Sequence, residues 1–209
     1  MNKFEAGFLF QILLKMRSVV TMNIKIKETV FESFPNLESA RLVFKEFENS
    51  DSQAMFELRS NPDVMRHMDS HPYQTIQDAS LSIEQNRIAF EEKTGLNWAI
   101  FEKETQQFIG YFCFWKLFRH HCRAEIGYAL HPNYWGKGYM DETIKTMLSF
   151  AFEQFGLHSI AANVNPNNKN SIRLLEKNNF VQEAYFKEDY FFDGQYIDSL
   201  IFSLLEPKG

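Results

Sequence analysis

The strongest constraint on this chain is a pair of glycines, Gly136 and Gly138, set between a strand-like run and a long amphipathic stretch. Upstream, Ala124 to Leu130 reads as a strand that His131 and Pro132 end. Downstream, Met140, Ile144, Met147, Leu148, Ala151 and Phe155 recur at helical spacing, and Gly156 is a natural C-cap. The chain must therefore turn from strand to helix over the two glycines. Glycine permits a tight turn and close approach to a ligand. The unpaired amides that open a helix favour a phosphate. Known phosphate-loop signatures do not fit. Asp141 stands where a dinucleotide fingerprint needs its third glycine, and Lys137 is followed by Gly138 rather than Ser or Thr. Taken alone, such a glycine pair is most often just a helix-entry turn.

The other elements follow from periodicity and end signals. Leu42 to Phe47 predicts a first strand. Ser50 or Asp51 caps a short helix through Met55, Phe56 and Leu58, which Asn61 and Pro62 end. Thr75 and Asp78 form a capping-box pattern for a second helix carrying Ala79, Ile83 and Phe90 on one face and stopping near Gly95. Strands are predicted at Trp98 to Phe101, Phe108 to Trp115 and Ala124 to Leu130. The middle one is apolar without alternation, as in a strand covered on both faces. After the long helix come a strand at His158 to Val164, a helix at Asn168 to Asn178 with Ile172, Leu174 and Leu175 apolar, and strands at Phe180 to Phe186 and Gln195 to Leu205. Asp193 and Gly194 mark the turn between the last two. The order β-α-α-β-β-β-α-β-α-β-β is a mixed α/β (α+β) domain, not a doubly wound sheet.

Composition narrows the function. At 209 residues one domain is the default. A net charge of −5 argues against non-specific nucleic-acid binding or an anionic membrane surface. Two cysteines exclude a disulfide-dense scaffold and a four-cysteine zinc site. His120, His121 and Cys122 with Cys113 read as a polar turn and two buried thiols, so no metal is expected. No run reaches the ~18 apolar residues of a membrane span. The stretch Phe8 to Leu14 reads as a short packed helix, or as part of an over-long start with Met22 the real beginning; a signal peptide is the minority reading, for Lys15 to Arg17 offers no small-residue cleavage site. Aromatics make up 16% of the chain, enough to raise the question of a stacking surface beyond the core.

Four segments taken together are specific. Glu125-Ile126-Gly127-Tyr128-Ala129-Leu130, Tyr134-Trp135-Gly136-Lys137-Gly138-Tyr139, Asn168 with Ser171, and Leu175 to Phe180 resemble, in order and spacing, the GNAT superfamily of acyl-CoA N-acyltransferases, in its RimJ/RimL-like branch of ribosomal-protein N-terminal acetyltransferases. The resemblance covers roughly residues 38–205, so 38–209 is expected to be the acetyltransferase domain and 1–37 an N-terminal extension. It implies the GNAT fold, a central mixed, mostly antiparallel twisted sheet flanked by helices. It also implies acetyl-CoA as cosubstrate, an amine acceptor (a protein N-terminus or a small amine such as a polyamine), a cytoplasmic setting, and a monomer or homodimer.

Site roles follow from the same resemblance. The loop of Trp135, Gly136, Lys137, Gly138, Tyr139 and Met140 would wrap the coenzyme A pyrophosphate with backbone amides. Asn133 stands where the family usually has Gln or Arg, which weakens one side-chain contact. Ala129 and Leu130 would pair with the pantetheine arm, the amide near Leu130 holding the thioester oxygen. Asn168 would bind the pantetheine arm, with a helix N-cap as its plain alternative. Glu125 is the candidate base, acting through a water, or else a surface carboxylate at a sheet edge. The tyrosine that many relatives use as the acid is absent, because Leu175 occupies its place, and Ser171 becomes the candidate acid, with a helix first-turn residue as its plain alternative. Asn179 replaces the glycine of the family's helix-closing Lys-x-Gly-Phe, at a left-handed position that Asn tolerates. His67, His71, Tyr185, Asp189 and Tyr190 fall where the family shapes its acceptor site, although solvated side chains are the commoner outcome.

Overall fold

A computed structural model describes residues 26–207. The expectations for Phe8 to Leu14 and for Met22 lie outside the described residues. One eight-stranded sheet organises the chain. Its strands are β1 (Leu37–Glu38), β2 (Leu42–Lys45), β3 (Leu96–Glu102), β4 (Phe108–Phe118), β5 (Arg123–Leu130), β6 (Ser159–Val164), β7 (Val181–Phe192) and β8 (Gln195–Leu205), in the spatial order 1-2-3-4-5-6-8-7. All neighbours run antiparallel except β5 and β6, which are parallel. The helices are α1 (Ser52–Ser60), the one-turn α2 (Pro62–Met65), α3 (Ile76–Glu91), α4 (Tyr139–Ser149) and α5 (Lys169–Lys177).

The element order matches the sequence reading with two additions, β1 and α2. Both are too short to carry a periodic signal. Asn61 and Pro62 do end α1, but they also start α2: the Asn61 side chain accepts from the amides of Asp63 and Val64, with Pro62 at the first helical position. The Thr75–Asp78 capping box forms at the start of α3. Past Ser149 the long helix continues as a π-helical segment, Phe150–Phe155, and ends at Gly156 in the left-handed conformation. Asp193 and Gly194 both have positive φ, as the tight turn joining β7 and β8 requires.

Two apolar layers sandwich the sheet. On one face α4 and its π-helical continuation pack Ile144, Met147, Phe150 and Phe155 against Trp98, Phe112, Phe114 and Ile126. On the other, α1 to α3 pack Met55, Leu58, Val64, Ala79 and Ile83 against Ala99, Phe101 and Ala129. Most of the aromatic excess is spent here. Trp98 is fully buried, has edge contacts with Phe34, Phe114 and Phe150, and donates its indole N–H to the Pro35 carbonyl at 2.7 Å. Residues ahead of β1 join the same core through Ile26 and Phe31. Cys113 and Cys122 are buried free thiols. No described helix is long and apolar enough to cross a membrane, and no cluster of metal-ligating side chains occurs among the described residues.

Candidate active site

The parallel pair at the centre of the sheet parts almost as soon as it forms. β5 and β6 pair only from Arg123 and Ser159 to Glu125 and Ala161. Beyond that β5 stays with β4 up to Leu130, while β6 stays with β8 up to Val164. A cleft opens between them. The Gly110 backbone lies so close to β5 that a Cβ would fall 2.1 Å from the Ala129 carbonyl oxygen, so β4 holds β5 on the far side of this cleft without room for a side chain.

Ladder alternation decides which backbone groups face the cleft. The His131 amide donates to the Ile109 carbonyl at 2.8 Å. Counting back in steps of two, Ala129, Gly127 and Glu125 bond to β4, and Leu130, Tyr128 and Ile126 turn their amides to the open side. The Trp135 indole N–H takes the Leu130 carbonyl at 2.8 Å, which leaves the Leu130 and Tyr128 amides as donors along the cleft. Ala129 contributes backbone position rather than a donor.

The glycine loop lies at the mouth of the cleft, between β5 and α4. Gly136 has φ +72° with nothing within 4 Å of a Cβ, and Gly138 has φ +80° at the helix N-cap. The amides of Gly136, Lys137 and Gly138 have no acceptor among the described residues. Together with the first turn of α4 they are unpaired N–H donors at a helix start, where N–H groups and the helix dipole favour an anion. The side chains are divided. Tyr139 and Met140 are buried and serve the core, so only their backbone is available. Trp135 and Lys137 are exposed, and the Asn133 side chain is exposed in the turn before them.

Sequence reasoning missed the brace beneath this loop. Arg41, just ahead of β2, donates to Glu142 at 2.7 Å and to the Lys137 carbonyl at 3.0 Å, and its guanidinium lies 4.2 Å from the centre of the Tyr139 ring. Glu142 also accepts from Ser39 and from the Arg41 amide. Across 101 residues of chain these contacts tie β2 to the first turn of α4; no local pattern announces them. Asp141 opposes its own desolvation with bonds from Lys177, Lys145 and Asn178, which together hold its carboxyl down at about 2. Its charge is therefore matched locally rather than left facing the anion site, and it links α4 to the end of α5.

Deeper in, Ser171 and Tyr128 meet. The Ser171 hydroxyl lies 2.7 Å from the Tyr128 hydroxyl. Burial pushes the Tyr128 phenol up to about 12 against the opposing effect of the serine bond, so it is protonated at neutral pH. The Tyr128 ring stacks parallel to Phe112, 6.4 Å between centres. Asn168 caps α5, its side-chain oxygen accepting from the Ser171 amide at 3.1 Å, and so fixes the turn that presents the serine. The strand motif holds Tyr128 without implying a role for it. Its partner lies 43 residues on, and only the fold reveals the pairing.

Glu125 stands apart from that pair. Alternation puts it on the opposite face of β5 from Tyr128, at the point where the parallel pairing ends. Its largely buried carboxylate is 3.3 Å from the Lys116 ammonium. On this second face Trp115 of β4 lies directly opposite it, and Cys113 and then Tyr111 follow farther along the same face, opposite Gly127 and Ala129. The β7–β8 hairpin closes one side: Tyr190 bonds Asp69, and the His71 ring lies 5.0 Å from that of Phe192. Tyr185 and Asp189 instead bond Asp198 and Ser199 within the hairpin.

A strand pair that splays beside a glycine-opened helix leaves backbone donors along a strand edge and a helix start that favours an anion. Residues 41–181 match the acetyltransferase (GNAT) domain model, and the chain belongs to the GNAT acetyltransferase family. An uncharacterized N-acetyltransferase of Bacillus subtilis, YoaA, is 33% identical over 84% of this chain and 99% of its own length. A ribosomal-protein alanine N-acetyltransferase of Escherichia coli is 31% identical over 52% of this chain and 56% of its own. Among solved structures, a GNAT acetyltransferase from Bacillus anthracis superposes with a TM-score of 0.74 at 27% identity, covering 82% of this chain and 98% of that one. Spermidine N-acetyltransferase from Vibrio cholerae, in complex with coenzyme A and spermine, shares the fold with a TM-score of 0.71 at 23% identity, over 79% and 96%. The chain is thus an N-acetyltransferase by family, with an acceptor that these relatives do not agree on.

Proposed function

We propose that this protein transfers an acetyl group from acetyl-CoA directly to a primary amine, with an α-amine, including that of a protein N-terminus, as the preferred acceptor. The observation that carries the reading is the Ser171–Tyr128 hydroxyl pair beside the cleft between β5 and β6. In this reading the pyrophosphate rests on the loop of Trp135 to Met140 and the pantetheine arm lies along Ala129 and Leu130, with Asn168 at its side. The amine nitrogen attacks the thioester carbon, and a cleft-facing amide of β5 holds the oxyanion. Collapse expels the thiolate, which takes the Ser171 hydroxyl proton as Tyr128 passes its own to the serine; solvent restores the phenol. Glu125, through a water, receives the proton that the acceptor ammonium must shed, and the second proton, lost by the nitrogen after attack, leaves to solvent by the same water and balances the one that solvent returns to the phenol. An α-amine, with an ordinary pKa of about 7.7–8.0, needs less of that help than a side-chain amine near 10.4. The reading assigns residues 38–209 to the catalytic domain and the protein to the cytoplasm, as a monomer or homodimer.

The test is free-thiol release from acetyl-CoA with amino acids, short peptides and polyamines as acceptors. Stimulation by α-amines is expected. Coenzyme A binding with no stimulation by any amine would replace the enzyme with an acyl-CoA-binding sensor.

A further inference from the structure

The sheet face that carries Glu125 also holds a cation that the transfer chemistry does not use. Arg59, the penultimate residue of α1, directs its guanidinium toward β4. Nη1 donates to the Tyr111 hydroxyl at 2.9 Å and lies 3.1 Å from the Met68 sulfur, and Nη2 donates to the Ser70 hydroxyl at 2.7 Å. The Tyr73 ring centre is 5.2 Å from its central carbon. Nε is buried and has no hydrogen-bond partner among the described residues.

Every one of these contacts is neutral. Burial keeps the Tyr111 phenol protonated, despite the nearby Arg59 charge, and pushes the neighbouring Cys113 thiol up to about 12. Arg59 takes part in no ion pair of the described residues. Asp69, next to Ser70, is engaged by Tyr190. Guanidinium does not escape by losing its proton, and a half-buried charge without a counter-charge is costly to hold. A fold that retains one beside a substrate site leaves the counter-charge to a ligand. Position agrees with this, because Tyr111 pairs directly with Ala129 and shares its face with Glu125.

We propose that Arg59 receives a carboxylate carried by the acceptor, so that the substrate is an amine bearing an acid, such as an amino acid or an acidic peptide, and not a polyamine. This inference rests on the acetyl-transfer reading for the identity of the site. It reverses what the whole-chain charge suggests. A net −5 favours a cationic partner at long range, whereas the unmatched charge on the acceptor face is the Arg59 cation, which a polyamine would meet as a repulsion.

The experiment measures binding and turnover separately, on the full chain loaded with coenzyme A or acetyl-CoA. Calorimetry compares the twenty amino acids with their amides, Xaa-Asp with Xaa-Asn dipeptide amides, and spermidine. The first pairing reports an α-carboxylate and the second a side-chain acid. At least one acidic member is expected to bind 10-fold or more tightly than its neutral partner. Arg59→Met should erase that ratio while Arg59→Lys keeps part of it, and both should bind coenzyme A as the parent does, which reports an intact fold. Equal binding of acid and amide, tighter binding of spermidine, no binding across the whole panel, or an Arg59→Met loss equal for acid and amide would each overturn the assignment. Carboxylate-dependent binding without thiol release would sustain the role of Arg59 and defeat the transfer reading instead.

Discussion

In the proposed reading, the cleft edge of β5 and its face toward α1 to α3 serve recognition in different ways. Toward the cleft, the donors belong to the backbone: the amides of Gly136, Lys137 and Gly138 and those that alternation turns outward at Tyr128 and Leu130. Toward α1 to α3, the polar groups belong to side chains drawn from distant parts of the sequence, Arg59 and Tyr111 being 52 residues apart. A backbone cradle depends on where glycines and helix starts fall, so it suits a ligand part that is common to a family. A side-chain cluster changes with single substitutions, so it suits the part that distinguishes one acceptor from another.

The largest effect should come where both faces share a support. Replacing Gly110 with Ala places a Cβ 2.1 Å from the Ala129 carbonyl oxygen, and overpacking of this kind costs about 3 kcal/mol. Chemical denaturation of Gly110→Ala should show a loss of that order. A variant as stable as the parent would mean that β4 and β5 are not held as closely as described.

Asp141 sharpens the comparison on the cofactor side. Its folded-state carboxyl is depressed from 3.8 to about 2. The group therefore contributes stability that is present above pH 3.8 and lost as pH falls through about 2, worth about 2 kcal/mol. In urea melts across pH 5 to 2, Asp141→Asn should be less stable than the parent at pH 5, and the gap should close toward pH 2. A gap that is constant with pH would remove the charge from the explanation.

Next in size is the hydroxyl pair. Ser171→Ala and Tyr128→Phe should each lower kcat about 10-fold with an unchanged Kd for acetyl-CoA, and the double variant should lose little more than either alone, as groups acting in one relay do. Additive losses would separate them into independent roles. Smallest is Glu125→Gln, whose several-fold loss of turnover should be greatest at low pH, where free amine is scarce and the base matters most. A pH profile parallel to the parent's would make Glu125 a structural partner of Lys116.

Legibility in the sequence follows the same division. The succession of elements along the chain, the glycine turn into α4, the capping of α3 and α5 and the left-handed Asn179 are local events, written in residues within a few positions of one another. The two short elements escaped because two to four residues make no period. The Arg41–Glu142 brace and the Ser171–Tyr128 and Arg59–Tyr111 pairs escaped because each joins residues that only the sheet brings together. Ser171 was legible as a candidate through the spacing of a family motif, whereas its phenolic partner was hidden inside a strand that already had a reason to be aromatic.

The separation of the two faces is most directly tested by titrating coenzyme A calorimetrically into the parent, Gly136→Val and Arg59→Met proteins. Gly136 has open space around it but a φ of +72°, which a β-branched residue holds only with strain. At least about 10-fold weaker binding is expected for Gly136→Val, and parental binding for Arg59→Met. Undiminished binding by Gly136→Val, or an equal loss in both variants, would contradict that separation.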